Sequence, residues 1–373
     1  MKSYDVAIIG AGIVGLAHAW AARRQNLSVA VFERTAKAEG ASVRNFGMVW
    51  PIGQPAGRLY ETALRSRELW LELGQNNVLQ VESCGSIHLA HHPDEWELLN
   101  EFVDGNTHQT QMLDKDEVLS RSSIANPNGL VGGMYSPTEL RVNPRVASAS
   151  IAEWLAQEQG VDFYFSTPIV NLDSEQLYSS TGQTWSANRT LICSGSDLQT
   201  LYPDEFAQSS LVLCKLQMLK TAGQKQSMHK PEPHIASGLT LRHYTSFNHC
   251  HSLKGLKERI ASESPELDQY GIHVMASTFP NGDIILGDSH EYGEDISPFD
   301  KTEIDQLMIR ELQKVIALSD WTIVEKWHGI YAKHPELPVY QKAVNDQVGI
   351  FVGTGGAGMS LSFGLADQYW KQN

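Results

Sequence analysis

What the chain lacks narrows it first. Its 373 residues contain no run of about twenty uninterrupted apolar residues, the length a helix needs to cross a bilayer. Cysteine is sparse: Cys84, Cys193, Cys214 and Cys250 stand far apart with no CxxC pair. That argues against a disulfide framework and suits a reducing compartment. Basic charge is short too. The 29 Lys and Arg against 43 Asp and Glu leave a net charge of -14, which weighs against nucleic acid or an anionic membrane as main partner. No internal repeat or low-complexity tract is present. Histidine is plentiful, at fourteen, but His91-His92 and His249-Cys250-His251 lack i,i+4 spacing and a second ligand pair. They read as loop residues, and no metal is expected.

What is present begins at the N-terminus. Tyr4 to Ile9 is a short β-branched run that reads as a buried parallel strand, followed by Gly10-Ala11-Gly12-Ile13-Val14-Gly15. An Ala-rich helical stretch runs to Gln25, and Ser28 to Phe32 is a second strand ending at Glu33. Strand, glycine turn, helix, strand and acid make up the dinucleotide-binding unit. Gly10 permits the tight turn, Gly12 lets backbone approach a pyrophosphate, and Gly15 lets the helix pack on the strands. The helix N-terminus offers unpaired amides and a positive dipole end to phosphates. Glu33 is placed to accept from the ribose hydroxyls and to repel a 2′-phosphate. A secretory leader is the competing reading of Val6 to Ala22, with Ala19-Trp20-Ala21 as cleavage-site mimic. The glycines and His18 interrupt that run, so a cytoplasmic protein is expected.

Further along, Ala38 to Gly47 is a polar, glycine-punctuated loop in which Ser42, Arg44 and Asn45 can bind pyrophosphate or flank a ring. Helices are expected at Gln54–Leu73, Asp94–Phe102, Leu113–Leu119 and, behind an Asn143 cap and Pro144, up to Gln159. Another is expected at Lys301–Leu318. Arg189 to Ser196 reads as a strand ending in a small-residue turn that includes Gly195. From Leu211 to Thr221 the pattern alternates, and Ile272–Ala276 with Asp283–Gly287 flank an Asn281-Gly282 hairpin turn. An antiparallel sheet inserted into a parallel one is therefore expected. Trp321–Tyr331 is a late strand whose alternation puts Lys326, His328 and Ile330 on one face and Trp327 and Tyr331 on the other.

A second glycine element, Gly353-Thr354-Gly355-Gly356-Ala357-Gly358, precedes a final helix. Only fifteen residues follow Gly358 here, too few for another strand and acid, so a complete second nucleotide site is not expected. Bare amides at a helix start can instead stabilise negative charge on a reduced flavin. One complete site plus this distant turn suits FAD, whose two ends lie far apart.

The glycine turn with Glu33, the Ser42-Val43-Arg44-Asn45 loop, Leu191–Ser196, Asp283–Gly287 and Gly353–Gly358 together resemble the FAD-dependent D-amino-acid oxidase family, which includes glycine and sarcosine oxidases. The resemblance covers nearly the whole chain. It implies an α/β fold: a doubly wound, glutathione-reductase-like FAD domain with an inserted, mostly antiparallel α+β substrate domain. The expected division is 1-50, 141-205 and 320-373 for FAD and 51-140 and 206-319 for substrate. It also implies oxidation of a C–N bond, with hydride passing to flavin N5, hydrolysis of the imine to an aldehyde or keto product, and oxygen reduced to hydrogen peroxide. FAD contacts are expected from Gly10, Gly12, Ile13, Val14, Gly15, Glu33, Arg34, Ser42, Arg44, Asn45 and Gly195. The late turn adds Gly353, Gly355, Gly356, Ala357, Gly358 and Met359.

Three departures shape the substrate expectation. The family's Gly-Leu-Arg-Pro arginine, which grips a carboxylate, is replaced here by Trp327-His328-Gly329-Ile330-Tyr331-Ala332-Lys333. No cysteine lies nearby for covalent attachment, so FAD is expected to be non-covalent. Ile285-Leu286-Gly287 lacks the lysine that some members use with oxygen, so oxygen or another acceptor fits. Arg44, Arg242, Tyr244, His290, His328, Tyr331 and Lys333 are the candidates for gripping an anionic substrate, with His328, Tyr331 and His290 nearest the chemistry. The Arg-His-Tyr, Gly-Asp-Ser-His-Glu-Tyr and Trp-His-Gly-Ile-Tyr series resembles a subgroup associated with aminophosphonate breakdown. A small anionic primary or secondary amine, either an aminophosphonate or an N-methylated amine, is the favoured substrate. A D-amino acid, glycine or sarcosine oxidase, an FAD-dependent 2-hydroxy acid dehydrogenase, and a non-catalytic or tRNA-modifying flavoprotein are the alternatives.

Overall fold

The computed structural model describes residues 1–224 and 231–372. Two large sheets organise them. In the first, Asp162–Tyr164, Val29–Phe32, Lys2–Ile9, Thr184–Ile192 and Val348–Val352 run parallel in that order. Tyr340–Ala343 and the Ile169–Asp173/Gln176–Ser179 ribbon join antiparallel. The second half of the central strand Lys2–Ile9, Val6 to Ile9, is a continuous apolar run because both of its faces are covered. Because the strands are parallel, their carboxyl ends line up. Gly10, Glu33, Cys193 and Gly353 therefore emerge at one edge, where such sheets bind ligands.

The second sheet is mostly antiparallel, as the alternating middle of the chain implied, with nine strands. Its spine is Val212–Thr221, paired along almost its whole length with Ile323–Lys333 and on its other side with Ile284–Gly287 and Glu291–Gly293. The expected boundary at 320 assigned Ile323–Lys333 to the nucleotide part, yet its backbone hydrogen bonds belong to this second sheet. Met275–Thr278 and Ile284–Gly287 form the expected hairpin, with Gly282 at φ +84° in the turn. A small third sheet, Met48–Val49, Leu140–Val142 and Val81–Ser83, lies apart from both in pairing.

Most helices fall where periodicity and caps put them, with ends shifted by a few residues: Arg58–Gln75, Pro93–Asp104, Pro144–Gln157 and Thr302–Val315. The stretch expected as one helix at Leu113–Leu119 divides. Gln111–Asp114 is a strand, and Asp114 then caps the helix Lys115–Arg121 by accepting the Glu117 amide at 2.8 Å. His92 is the N-cap residue of Pro93–Asp104.

The final helix, Gly358–Gln372, is wedged between Ile13–Arg23 and Arg58–Gln75. Gly364 permits the approach, since a Cβ there would lie 2.2 Å from the Thr62 carbonyl oxygen. Its amide donates to Ser66 Oγ at 2.7 Å. Trp70, fully buried, donates its indole N–H to the Met359 carbonyl at 2.9 Å. Trp20 and Phe363 pack edge to face in the same core. Burial of side chains this large contributes roughly 2–3 kcal/mol each. That packing anchors the Gly353–Gly358 turn at the mouth of the first sheet.

Candidate active site

A single cavity of about 680 Å³ runs from the edge of the parallel sheet to the face of the antiparallel one. At one end stand Gly10, Gly12, Ile13, Val14, Glu33, Arg34, Ser42 and Gly195. Gly10 has φ +111°, and a Cβ on it would lie 2.4 Å from the Cys193 carbonyl oxygen. No other residue fits that turn without moving the neighbouring strand. Gly195, at φ +65°, instead has nothing within 4 Å of where its Cβ would stand, so bare backbone faces open cavity. Gly15 does not reach the cavity. Its space is taken by the Gly10 carbonyl, 2.0 Å from a built Cβ, and by Ile8, so it packs helix on strand as its position implies.

Glu33 is buried, and its carboxylate closes the glycine turn. Oε2 accepts from the Ala11 amide at 3.0 Å, and Oε1 accepts from the Thr35 amide at 3.0 Å and hydroxyl at 2.8 Å. Oε2, with one donor, keeps a second lone pair for a ribose hydroxyl, whereas Oε1 is already doubly engaged by Thr35. Ser42 Oγ accepts the Ile13 amide at 2.9 Å, capping the helix from a loop 29 residues away. Asn45 spends its side chain within its own loop, donating to Ala41 and Ser42 carbonyls and accepting from Gly47. It shapes the cavity wall. Arg44 donates to the Glu39 and His328 carbonyls at 2.8 and 3.2 Å, which ties this loop to the second sheet. Arg34 pairs with Asp197.

Midway, Gly353, Gly355, Gly356, Ala357, Gly358 and Met359 line the cavity, with Gly353 and Gly355 at φ +64° and +53°. The Tyr331 hydroxyl lies 3.6 Å from a Cβ built on Gly356, so this turn meets the late strand. The separation of the Glu33 end from this turn, joined by one cavity, fits a long two-ended cofactor such as FAD.

The far end is formed by the second sheet. Tyr244, His290, Tyr331 and Lys333 line it, as expected, and His243, His273 and Asp288 join them. Two expected residues do not. His328 points away, its Nδ1 2.9 Å from Asp300 Oδ1. It lies three residues before Tyr331 on one strand, and a two-residue side-chain period puts such positions on opposite faces. Arg242 is also turned away. It pairs with Asp268 at 2.8 Å and donates to the Ile272 carbonyl at 2.8 Å. The chain here is a 3₁₀ turn, Gly238–Arg242, so consecutive side chains diverge by about 120°. The cavity receives His243 in place of Arg242.

His243, His273 and His290 form a stack. Centroids of His243 and His273 are 3.9 Å apart at 24°, and those of His243 and His290 are 4.4 Å apart at 27°. His273 and His290 are 5.0 Å apart and nearly parallel, at 11°. Burial holds His243 and His273 well below the ordinary imidazole pKa, and pushes His290 down to about 4. Burial also raises Asp288 well above the usual carboxylate range and raises Tyr331. Lys333 Nζ lies 3.2 Å from the Tyr292 hydroxyl. Sequence alone missed His243 and His273, since thirty residues separate them and neither sits in a spaced motif.

The described residues include this one group able to offer an ion three ligand atoms within 4.8 Å of one another. A ligated metal lies in the plane of each imidazole, about 2.0–2.1 Å from nitrogen. Rings stacked face to face cannot share one without turning. His91-His92 and His249-Cys250-His251 are not part of this group.

Comparison with known proteins agrees with this geometry. Residues 5–369 match the family model described as FAD dependent oxidoreductase. Among curated proteins, the glycine oxidase of Geobacillus kaustophilus is 29% identical over 208 residues, covering 52% of this chain and 55% of that protein. The glycerol 3-phosphate dehydrogenase of Caloramator mitchellensis is 24% identical over 241 residues, 61% of this chain and 48% of that protein. The chain thus spans about half the length of the curated relatives it matches. Among solved structures, the Geobacillus kaustophilus glycine oxidase superposes with a TM-score of 0.77 at 19% identity, covering 100% of this chain and 95% of that one. The FAD-bound L-alpha-glycerophosphate oxidase of Mycoplasma pneumoniae gives 0.75 at 17%, covering 100% and 96%. No helix among the described residues is long and apolar enough to cross a membrane.

Proposed function

Because the chain belongs to the family of FAD-dependent oxidoreductases, we propose that it oxidises the C–N bond of a small anionic primary or secondary amine, an aminophosphonate or N-methylated amine being favoured. The observation that carries this reading is the composition of the cavity's far end. Lys333, three imidazoles and the Tyr244 and Tyr331 rings converge there, while Arg242 is committed to Asp268 outside it. A guanidinium fork grips carboxylate and phosphate alike; with Arg242 turned away, an anion entering here is met instead by the Lys333 point charge and by ring donors arriving from several directions.

Bound FAD supplies the acceptor for the hydride that leaves the carbon bearing nitrogen. The chain's own residues do the rest. The parallel-sheet end, with Gly10, Gly12, Glu33 and Ser42, holds the nucleotide by backbone amides and one acid. The Gly353–Gly358 turn and the start of the last helix present amides to the middle of the cavity, where negative charge develops. The second sheet orients the substrate through Lys333 and the phenols, and its buried walls exclude water. The imine product then hydrolyses, and oxygen or another acceptor takes the electrons. FAD is held without a covalent bond. The division of labour follows the two sheets: nucleotide on the parallel one, substrate on the antiparallel one.

Anaerobic mixing of the yellow protein with a panel of aminoalkylphosphonates, N-methyl amines, glycine and 2-hydroxy acids tests this. Bleaching of the flavin band by the anionic amines is the expected result. Bleaching by hydroxy acids alone would overturn it. The kinship with a glycerol 3-phosphate dehydrogenase makes a phosphorylated alcohol the second substrate to include.

A further inference from the structure

The His243–His273–His290 stack is larger than orientation of one substrate requires, and its polar atoms are poorly satisfied. His273 is 2% exposed, and neither ring nitrogen has a hydrogen-bond partner among the described residues. Asp288 Oδ1 comes within 3.1 Å of His273 Nε2 but out of hydrogen-bonding alignment. His290 Nδ1 lies 3.2 Å from the Gly271 carbonyl, which can only accept, so Nδ1 carries the proton and Nε2 is the lone-pair nitrogen. The His243 amide donates to the Thr240 carbonyl at 3.0 Å, while its ring makes aromatic contacts and no side-chain hydrogen bond among the described residues. Buried polar groups left without partners mark a place where something else supplies them.

We propose that this stack is a proton-coupled seat for the substrate's dianionic group: the seat is uncharged when empty and takes up a proton from solvent as the anion arrives. This rests on the anionic-amine reading of the site and adds to it the means by which charge is matched. Three neighbouring cations packed together without an anion would repel one another, and burial already keeps all three rings neutral. An entering dianion reverses the balance for the nearest ring. A proton moves from water to an imidazole nitrogen, the ring becomes a double donor, and no bond in the anion breaks.

The groups facing the stack decide the sign. Arg242 and Tyr244 flank His243 on the 3₁₀ turn, and Arg242 is itself balanced by Asp268. From the other elements come Asp288, Tyr292 stacked on His290, Tyr331 and Lys333, with Cys214 behind the tyrosines. The two permanent cations, Arg242 and Lys333, push the empty rings toward neutrality. Burial raises the Asp288 carboxyl well above the usual carboxylate range, which opposes a negative charge beside the rings. Binding therefore raises the imidazole pKa from a depressed start. Affinity is greatest at low pH and falls as pH rises through the bound-state pKa.

Sulfate is the probe, because it remains a dianion across the working range, so any proton taken up goes to the protein. Calorimetric titration of sulfate into the FAD-loaded enzyme, in buffers of differing ionisation enthalpy, counts those protons. The expected result is uptake of about one proton per sulfate at pH 7, with about a tenfold loss of affinity per pH unit above it. The double variant His243→Gln/His273→Gln should abolish uptake while keeping the flavin spectrum. If it fails to bind flavin, the wild-type count alone decides. Sulfate binding without proton uptake, no sulfate binding, or stoichiometric zinc binding by the holoenzyme would each overturn the proposal. Failure of every amine to bleach the flavin would leave the proton count intact and defeat only the amine reading.

Discussion

The carbonyl oxygen of Cys193, at the end of one parallel strand, lies 2.4 Å from the point where a Cβ on Gly10 would stand, at the end of the next. The two strand ends touch so closely that only glycine can join strand to helix there. Cys193 in turn donates its amide to the Ile9 carbonyl at 2.8 Å, so the contact cannot relax by parting the strands.

Gly10→Ala is therefore expected to cost about 1–3 kcal/mol of stability and most of the FAD affinity, because φ +111° and the clash both oppose it. Thermal melting and flavin content per protein measure the two effects. Retention of full flavin occupancy would contradict the placement of the turn.

Glu33→Gln leaves one of two roles unfilled. The carboxylate accepts from Ala11 on one oxygen and from Thr35 on the other, whereas an amide turns an NH₂ toward one of them. A loss of about 1–3 kcal/mol follows from the orphaned donor. Weaker FAD binding, read by flavin fluorescence on dilution, is the accompanying result.

Lys333 and His328 separate cleanly. Lys333→Met should raise KM for the anionic amine at least tenfold, with a smaller change in kcat. His328→Ala should change KM less than about twofold, because its ring bonds Asp300 away from the cavity. Steady-state kinetics on the two variants would reject the site geometry if the order were reversed.

His18 offers a pH test of stability. It is buried against Phe351 and Tyr369, and burial pushes its pKa down to about 3 from the ordinary 6.5. The unfolded chain binds that proton below 6.5, and the native chain does not until about 3. The stability this difference carries is whole above 6.5 and declines as pH falls toward 3, by about 1.4 kcal/mol per pH unit for this one group. His18→Leu should flatten the dependence by one proton between pH 4 and 6, as seen in urea unfolding.

The nucleotide end of the cavity was legible in the chain because its parts are local. Tyr4 to Glu33 form one strand-turn-helix-strand unit whose geometry is set within thirty consecutive residues. Gly353 to Gly358 stood out for the same reason, as a run of glycines directly before a helix. The alternation of 211–221 and the Asn281-Gly282 turn announced the second sheet for the same reason. The far end of the cavity was only half legible. Tyr331 and Lys333 line the cavity, but His328, which the strand alternation had already set on the face opposite Tyr331, does not.

By itself the sequence determined the cofactor's cradle, the parallel and antiparallel halves, and the loss of the usual arginine. Only the tertiary structure decided which side chains face the far end of the cavity. A single 3₁₀ turn at Gly238–Arg242 sends Arg242 to Asp268 and His243 into the cavity. Packing then brings His243 against His273 and His290, residues whose meeting no local pattern encodes. Backbone period is written in neighbouring residues, while the convergence of side chains from three separate elements depends on how the whole chain packs.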